Sequence, residues 1–397
     1  MDAHQAQRVI ESLRKGIPPD GVVKHFTVGR QNEVAQLQEY LRANRPCSVL
    51  LQANYGSGKT HLLRFLRECA LHSGFVVSAV TLDAKSAVRF NRMDQILGAI
   101  FRNIEVPSPN VGRGIRGFFD LMHATSETHR MQRANGFWME LTHNWKWDYS
   151  DHLDSPALFV AFRAWSTGDR EAQELVEDWL QQPWNYKSQR KKLYYGLVDG
   201  LRRYFRDPRA EWQFYADNVF AFDVQGYAQS WAALGDLNRL AQAAGLAGVV
   251  LLFDEFEDII TNLTNISHQQ AAFWNLFQFY SKKHFPGLTF YAVTPEFVDK
   301  CKRVLISKGC MDYDYEWFES LARFQMSPLT VDELGALALR IMDAHATAYG
   351  WEPDLVMKSS HLRRIVEHAA SIQIQDRARH TITTVVKSLD ILLQDQE

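Results

Sequence analysis

The strongest chemical signal in the chain is a run of eight residues, Ala53-Asn54-Tyr55-Gly56-Ser57-Gly58-Lys59-Thr60. They follow the phosphate-binding pattern G-x-x-x-x-G-K-[ST] everywhere except the first position, where alanine stands for glycine. Gly56 and Gly58 allow the backbone to fold into a nest of N–H donors, and a helix beginning at Lys59 directs its positive end at the same point. Lys59 would then reach the β and γ phosphates of ATP, and the Thr60 hydroxyl would be a magnesium ligand. His61, next along, is read as part of the same nucleotide-binding segment. Ala53 adds one methyl where the loop leaves its strand, which reshapes the site slightly without removing it. The competing reading is a chance glycine-rich turn, and the strand before it and the helix after it count against that.

A second half of the same chemistry stands far downstream in Leu251-Leu252-Phe253-Asp254-Glu255. Asp254 at the end of a buried strand would hold Mg2+, and Glu255 would orient and deprotonate the water that attacks the γ phosphate. Alone, an apolar run ending in two acids is weak, because strand ends are often acidic for solubility. The acidic run continues through Glu257 and Asp258, which are expected on a solvated face. Thr294 ends the apolar run Leu288–Val293, where it would either hold the attacking water or simply cap a strand.

The elements that must position these residues are readable from periodicity. Cys47–Leu51 is a short buried strand, Lys59–His72 a helix closed by Gly74, Phe75–Leu82 a valine-rich strand, and Met93–Ile104 a second crossover helix. That alternation builds a parallel α/β sheet covered on both faces. Further strands are expected at Gly248–Phe253, Leu288–Val293 and Phe324–Met326, with a helix through Phe273–Tyr280. Roughly 190 residues separate Thr60 from Asp254, whereas two crossovers need roughly 60, so a helical insertion of about 130 residues is expected between them. The resulting division is 1–45 (a helical segment carrying Val28-Gly29-Arg30), 46–106 with 247–328 (the core), 107–246 (the insertion) and 329–397 (a C-terminal helical lid). Residues 8–16 form a short helix stopped by Gly16 and Pro18-Pro19, and Gln31–Ala43 a second one.

Composition narrows the class without naming it. Hydrophobic residues make up 46% of 397, enough for a large core, and Lys plus Arg (44) nearly balance Asp plus Glu (46). Attraction to nucleic acid or anionic lipid must therefore come from a local patch. Cys47, Cys69, Cys301 and Cys310 lack the spacing of a zinc site and are too sparse for a disulfide scaffold. With no secretory apolar run and no long apolar span, a cytoplasmic protein outside the membrane is expected.

The order of these parts resembles an AAA+ ATPase of the initiator or STAND-like kind. More narrowly, Arg8–Pro19, Asn54–Leu63 and Phe253-Asp254-Glu255-Phe256-Glu257 resemble the BrxD-type ATP-binding proteins of BREX phage-resistance systems. The resemblance implies that Val28 and Gly29 belong to the backbone that cups adenine, and that Arg30 is structural. It also implies that Arg323 is an arginine finger reaching a neighbouring subunit, with a surface salt bridge as the alternative. Arg379 would be the second sensor of the lid, with Arg377 a close rival because the usual Pro-Arg pair is absent. A finger requires an oligomer, so a homo-oligomer is implied, together with DNA and helicase-like or other defence proteins as partners.

The insertion carries a basic and aromatic stretch: Lys187, Arg190, Lys191, Lys192, Arg202, Arg203, Arg206 and Arg209 among Tyr186, Tyr194, Tyr195, Tyr204 and Phe205. It either contacts unpaired nucleic acid through phosphates and stacking or is an amphipathic helix with a solvated basic face. Eight of the eleven tryptophans fall between Trp138 and Trp231 and are expected in the core or at an interface. Two functions remain open: an ATPase that drives or switches a DNA-associated defence complex, and a signalling switch whose nucleotide state controls assembly. A metabolic phosphotransferase on the same loop is a third possibility, disfavoured by the insertion and the helical tail.

Overall fold

The computed structural model describes residues 1–83, 88–108, 111–131, 136–143, 150–187, 190–193, 196–197, 219–223, 225–311, 313–373 and 376–395. Among the described residues the strands are β1 (Cys47–Gln52), β2 (Phe75–Thr81), β3 (Ile104–Glu105), β4 (Gly248–Asp254), β5 (Leu288–Val293) and β6 (Arg323–Gln325). These six form one sheet in the order β3-β2-β4-β5-β1-β6. All neighbours run parallel except β3, which pairs antiparallel with β2. The sheet is thus mixed rather than wholly parallel. The expected helix Met93–Ile104 stops at Arg102, and Ile104 turns back as the edge strand, in which Ile104 is buried.

Register explains why the strands read as unbroken apolar runs. Val49 and Leu51 of β1 and Val250 and Leu252 of β4 pack with the helix Lys59–His72, through Leu62, Phe65 and Leu66. Leu50, Leu251 and Phe253 point to the other face, where Met93–Arg102 and the insertion cover them. Each face of a period-2 strand is therefore buried, and no position is left for polar alternation.

The described insertion helices Gly114–Met131, Gly136–His143, Pro156–Ser166 and Arg170–Gln181 share this second core instead of enclosing one of their own. Trp138, Trp165, Trp179 and Trp231 are among its most buried side chains, which places these four tryptophans in the core. Ala228–Ala243, counted with the insertion from sequence, is the crossover helix that leads into β4. The residues Arg202, Arg203, Arg206, Arg209, Tyr194, Tyr195, Tyr204 and Phe205 lie outside the described residues, as do the side chains of Tyr186, Lys187, Arg190 and Lys191.

The third core belongs to the C-terminal helices Val331–Tyr349, Ser359–Ser371 and Arg377–Gln394, and the N-terminal helix Ala3–Arg14 packs into it through Val9, Ile10 and Leu13. Residues 1–45 are therefore divided: the first helix joins the C-terminal unit, while Gln31–Ala43 packs on the sheet through Leu37 and Leu41. Thr330 and Glu333 close the start of Val331–Tyr349 with a reciprocal capping box.

A polar clamp fixes the first helix there. Arg14 donates from Nε and Nη2 to both Asp390 oxygens at 2.9 and 2.8 Å. Trp351 Nε1 donates to His345 Nδ1 at 2.9 Å, which leaves the Nε2 proton for Asp390 Oδ1 at 3.1 Å. Burial works to raise Asp390, but the Arg14 and His345 hydrogen bonds outweigh it and hold the carboxyl below its ordinary value of 3.8. A folded value below the unfolded one stabilises the fold above about 3.8 and loses that contribution as pH falls through the folded value. Asp390→Asn is expected to lower the melting temperature at pH 7, and the gap from the wild type should narrow as pH drops below about 3.8. Melting curves across pH 3 to 7 check this; a gap constant with pH would contradict it.

Candidate functional site

The loop between β1 and Lys59 is built on two left-handed glycines. Gly56 (φ 69) and Gly58 (φ 94) adopt angles that an L side chain resists. Gly58 caps the helix Lys59–His72 without a side-chain hydrogen bond, so the first-turn N–H groups face the loop with no capping side chain over them. Ala53, the non-consensus residue, keeps its backbone out of the left-handed region and buries its methyl beside the core of Leu62 and Leu66. Its N–H extends the β1–β5 ladder to Val293 O at 3.0 Å. Alanine is thus accommodated because this position serves as the last rung of the sheet.

Lys59 is 8% exposed; its Nζ donates to Ala53 O at 3.0 Å and stands 4.7 Å from the Tyr55 ring centroid. Its charge partner is Glu257 Oε1 at 3.6 Å. Glu257 is 5% exposed, which corrects the expectation of a solvated face. The reason is topological: one turn past β4 the chain bends back under the loop, with Phe256 N donating to Ala292 O at 3.2 Å. The side chain of Asp258 lies outside the described residues.

A cavity of about 460 Å³ opens over this loop. Gly56, Gly58, Lys59, Thr60, His61 and Glu255 supply its polar lining. Ile17, Pro18, Val28, Leu337 and Ile382 line an apolar end, and Arg379 reaches in from the last helix. The walls therefore come from the sheet and from the helical unit together. Arg379 packs on Gly16, where a Cβ would come within 3.1 Å of its Cγ. Arg377 instead donates to Ile372 O at 3.2 Å and does not line the cavity.

His61 Nε2 lies 2.9 Å from Thr27 Oγ1, and burial, then Arg30 and Arg64, push the ring down to about 4, so it is neutral at pH 7. Arg30 is buried and ties the loop to the strand end after β6: Nη2 donates to Ser57 O at 3.0 Å and Nη1 to Ser327 O. Gly29 (φ 63) stands outside the cavity, packed so closely on Glu333 that a Cβ would fall 2.1 Å from its Cδ.

Asp254 lies at the end of β4 in an adjoining cleft of about 410 Å³, which shares Thr60 and Arg64 with the cavity. Its Oδ1 accepts from Glu255 N at 3.0 Å. Glu255 takes φ 53, a left-handed angle uncommon for a residue with a Cβ. Thr60 and Asp254 offer a hydroxyl and a carboxylate, the hard oxygen donors that magnesium prefers. Among the described residues no group of three or more His, Cys, Asp or Glu is arranged to hold a metal, so such an ion would draw its other ligands from phosphate and water.

Two expected residues stand apart from the cavity. Thr294 follows β5, 2% exposed, with an Oγ1 that has no hydrogen-bond partner among the described residues. Arg323 opens β6 itself rather than preceding it, pairs in register with Leu50, and donates to Phe318 O and Glu319 Oε2 at 3.3 and 3.2 Å. Within one chain Arg323 forms the surface ion pair. Residues that sequence reasoning missed are the apolar wall, Ile17, Pro18, Leu337 and Ile382, and Glu257. Pro18-Pro19 signalled only the end of a helix; Arg64, donating to Pro18 O, draws that turn over the loop.

No helix among the described residues is long and apolar enough to cross a membrane. Neither a curated protein nor a solved structure matches the chain. A family of BREX system ATP-binding proteins, BrxC/D, matches residues 1–135 and 223–397, leaving out only a stretch inside the insertion. That match takes in the loop, β4, the cavity walls and the whole C-terminal unit, and the chain therefore belongs to the BREX system ATP-binding protein BrxC/D family.

Proposed function

We infer that the chain is an AAA+-like ATPase of a phage-defence system, binding ATP with magnesium in the cavity over Gly56–Thr60 and hydrolysing it to drive or switch a DNA-associated defence complex. The observation that carries this is the convergence of Lys59, Thr60, Glu255 and Arg379 on one cavity that also has an apolar end. Backbone N–H groups of the glycine loop and the Lys59 ammonium would receive the phosphates, and Ile17, Pro18, Val28 and Leu337 would cover the base. Glu255 lines the same cavity, where its carboxylate would take a proton from the attacking water. Thr294, whose buried hydroxyl has no hydrogen-bond partner among the described residues, stands apart from this cavity and would act only through a water linking it to the attacking one. Magnesium held by Thr60 and Asp254 would neutralise charge on the transferring phosphoryl group.

The C-terminal helices would act as a lid, with Arg379 as their contact to the phosphates. Because the N-terminal helix is clamped to them by Arg14 and Asp390, it would move with that lid. The same two-sided cavity favours a second reading, a signalling switch whose nucleotide state sets assembly with little sustained turnover. An ATPase assay with and without single- and double-stranded DNA, run beside a mass measurement in each nucleotide state, tests the choice. Stimulation by DNA supports the first reading; tight, slowly exchanged nucleotide with partner-dependent assembly and no DNA response would replace it with the second.

Arg323 stands on the edge strand β6, 38% exposed, where a neighbouring copy could meet it. As a finger it would leave Glu319 and supply positive charge in trans to the neighbour's γ phosphate. Arg323→Ala is then expected to spare nucleotide binding and to abolish the concentration-dependent part of turnover. An equally active variant at every protein concentration would place the finger elsewhere.

A further inference from the structure

Behind the phosphate loop lies an acid that the chemistry above leaves unused. Neither oxygen of Glu257 accepts a hydrogen bond among the described residues, and the side chain is 5% exposed. A carboxylate so far from water needs donors, a proton or a cation. The cation is Lys59, at 3.6 Å. Lys59 lines the cavity and Glu257 does not, so anything that enters the cavity meets the ammonium already paired.

The backbone that carries the acid is anchored on both sides. Phe256, its neighbour in the chain, is fully buried among Phe90, Tyr291 and Phe297 at ring separations of 4.7, 4.5 and 5.6 Å. Ile260 N donates to Glu257 O at 3.2 Å, which pins the following turn. The main chain at Glu257 is therefore anchored beneath the loop.

We propose that Glu257 is a counter-charge that competes with nucleotide phosphates for Lys59, holding the ammonium when the cavity is empty and lowering nucleotide affinity. This rests on reading the cavity as a nucleotide site. Two effects have the same sign. Drawing Lys59 toward the β phosphate strips compensation from a buried carboxylate, which is costly. The Glu257 carboxylate also repels the polyphosphate through a poorly screened interior. Both vanish when the acid becomes a neutral group of the same shape.

Titration with ADP and with a non-hydrolysable ATP analogue, in the presence of magnesium, reads this directly without turnover. Glu257→Gln is expected to bind both about tenfold more tightly than the wild type, and Glu257→Met, apolar and of similar length, to shift in the same direction. Unchanged or weaker binding by either folded variant overturns the proposal. Loss of folding in both also overturns it, because the acid would then be a structural requirement and not a competitor. Nucleotide-free melting of Lys59→Ala, Glu257→Gln and the double variant supplies an independent arm. Glu257→Gln should restore most of the stability that Lys59→Ala loses, and additive losses would show that the two are not a pair. No binding of either nucleotide by the wild type would overturn the nucleotide reading itself, and the proposed competition with it.

Discussion

Lys59→Ala is expected to weaken ATP binding by about two to four orders of magnitude while the protein remains folded. In the proposed complex the ammonium makes charge-assisted hydrogen bonds to two phosphates, each worth about 1.5–3 kcal/mol, and each 1.4 kcal/mol is a factor of ten in affinity. Nothing else on the cavity wall replaces it. Arg30 is committed to Ser57 O and Ser327 O, Arg64 to Pro18 O, and His61 is neutral. Arg379 reaches the cavity from a different unit, and its position depends on how the helices close. The substitution has a second consequence, since it strands Glu257 in the interior without its cation. Part of any loss could therefore come from disturbed packing beneath the loop. Lys59→Ala combined with Glu257→Gln separates the two: it removes the stranded charge, so the double variant should melt near the wild type and still fail to hold ATP. Binding followed by calorimetry, with melting measured on the same samples, checks both halves. Wild-type affinity in a folded Lys59→Ala variant would sink the site assignment.

The parts of this site that were legible in the sequence are those whose cause is local. Gly56 and Gly58 announce left-handed angles, Lys59-Thr60 the start of a helix, and Leu251–Asp254 a strand buried on both faces, because each depends on residues a few positions away. The BREX family was legible for the same reason, through short contiguous stretches. What the sequence could not show is set by partners far along the chain. The expectation of a solvated face at Glu257 followed from four acids in five positions, yet Lys59, almost two hundred residues earlier, takes that carboxylate into the interior. Ile104 continued the apolar period of its helix, but Val77 and Ser78 offered an unpaired strand edge, and the chain turned to use it. The apolar end of the cavity joins residues from both termini of the chain, and no spacing rule links Ile17 to Leu337 or Ile382. The insertion interrupts the core motifs along the chain, yet its described helices cover Leu251 and Phe253, with Phe159, Trp165 and Trp179 in the same hydrophobic cluster.

Glu255→Gln is expected to keep ATP affinity within about threefold and to reduce turnover by about two to four orders of magnitude, the usual worth of a positioned proton acceptor. The amide has nearly the same shape, so the backbone that holds it should persist. That backbone is unusual: φ 53 is uncommon for a side chain with a Cβ, and it is stabilised here by the bond from Glu255 N to Asp254 Oδ1 and by Phe256 anchored to Ala292 O. Strain of this kind persists only where the surroundings impose it, and here Glu255 lines the cavity while Glu257 is buried outside it. The two acids, two positions apart, are therefore expected to respond to the same substitution in opposite ways. Glu255→Gln loses turnover with little change in affinity, whereas Glu257→Gln gains affinity. Single-turnover hydrolysis and equilibrium binding, measured on each variant, distinguish them. Wild-type turnover in Glu255→Gln would remove that residue as the base. If Glu257→Gln also lost turnover as deeply as is expected of Glu255→Gln, the pairing of the inner acid with Lys59 would be needed for the chemical step and not for affinity alone.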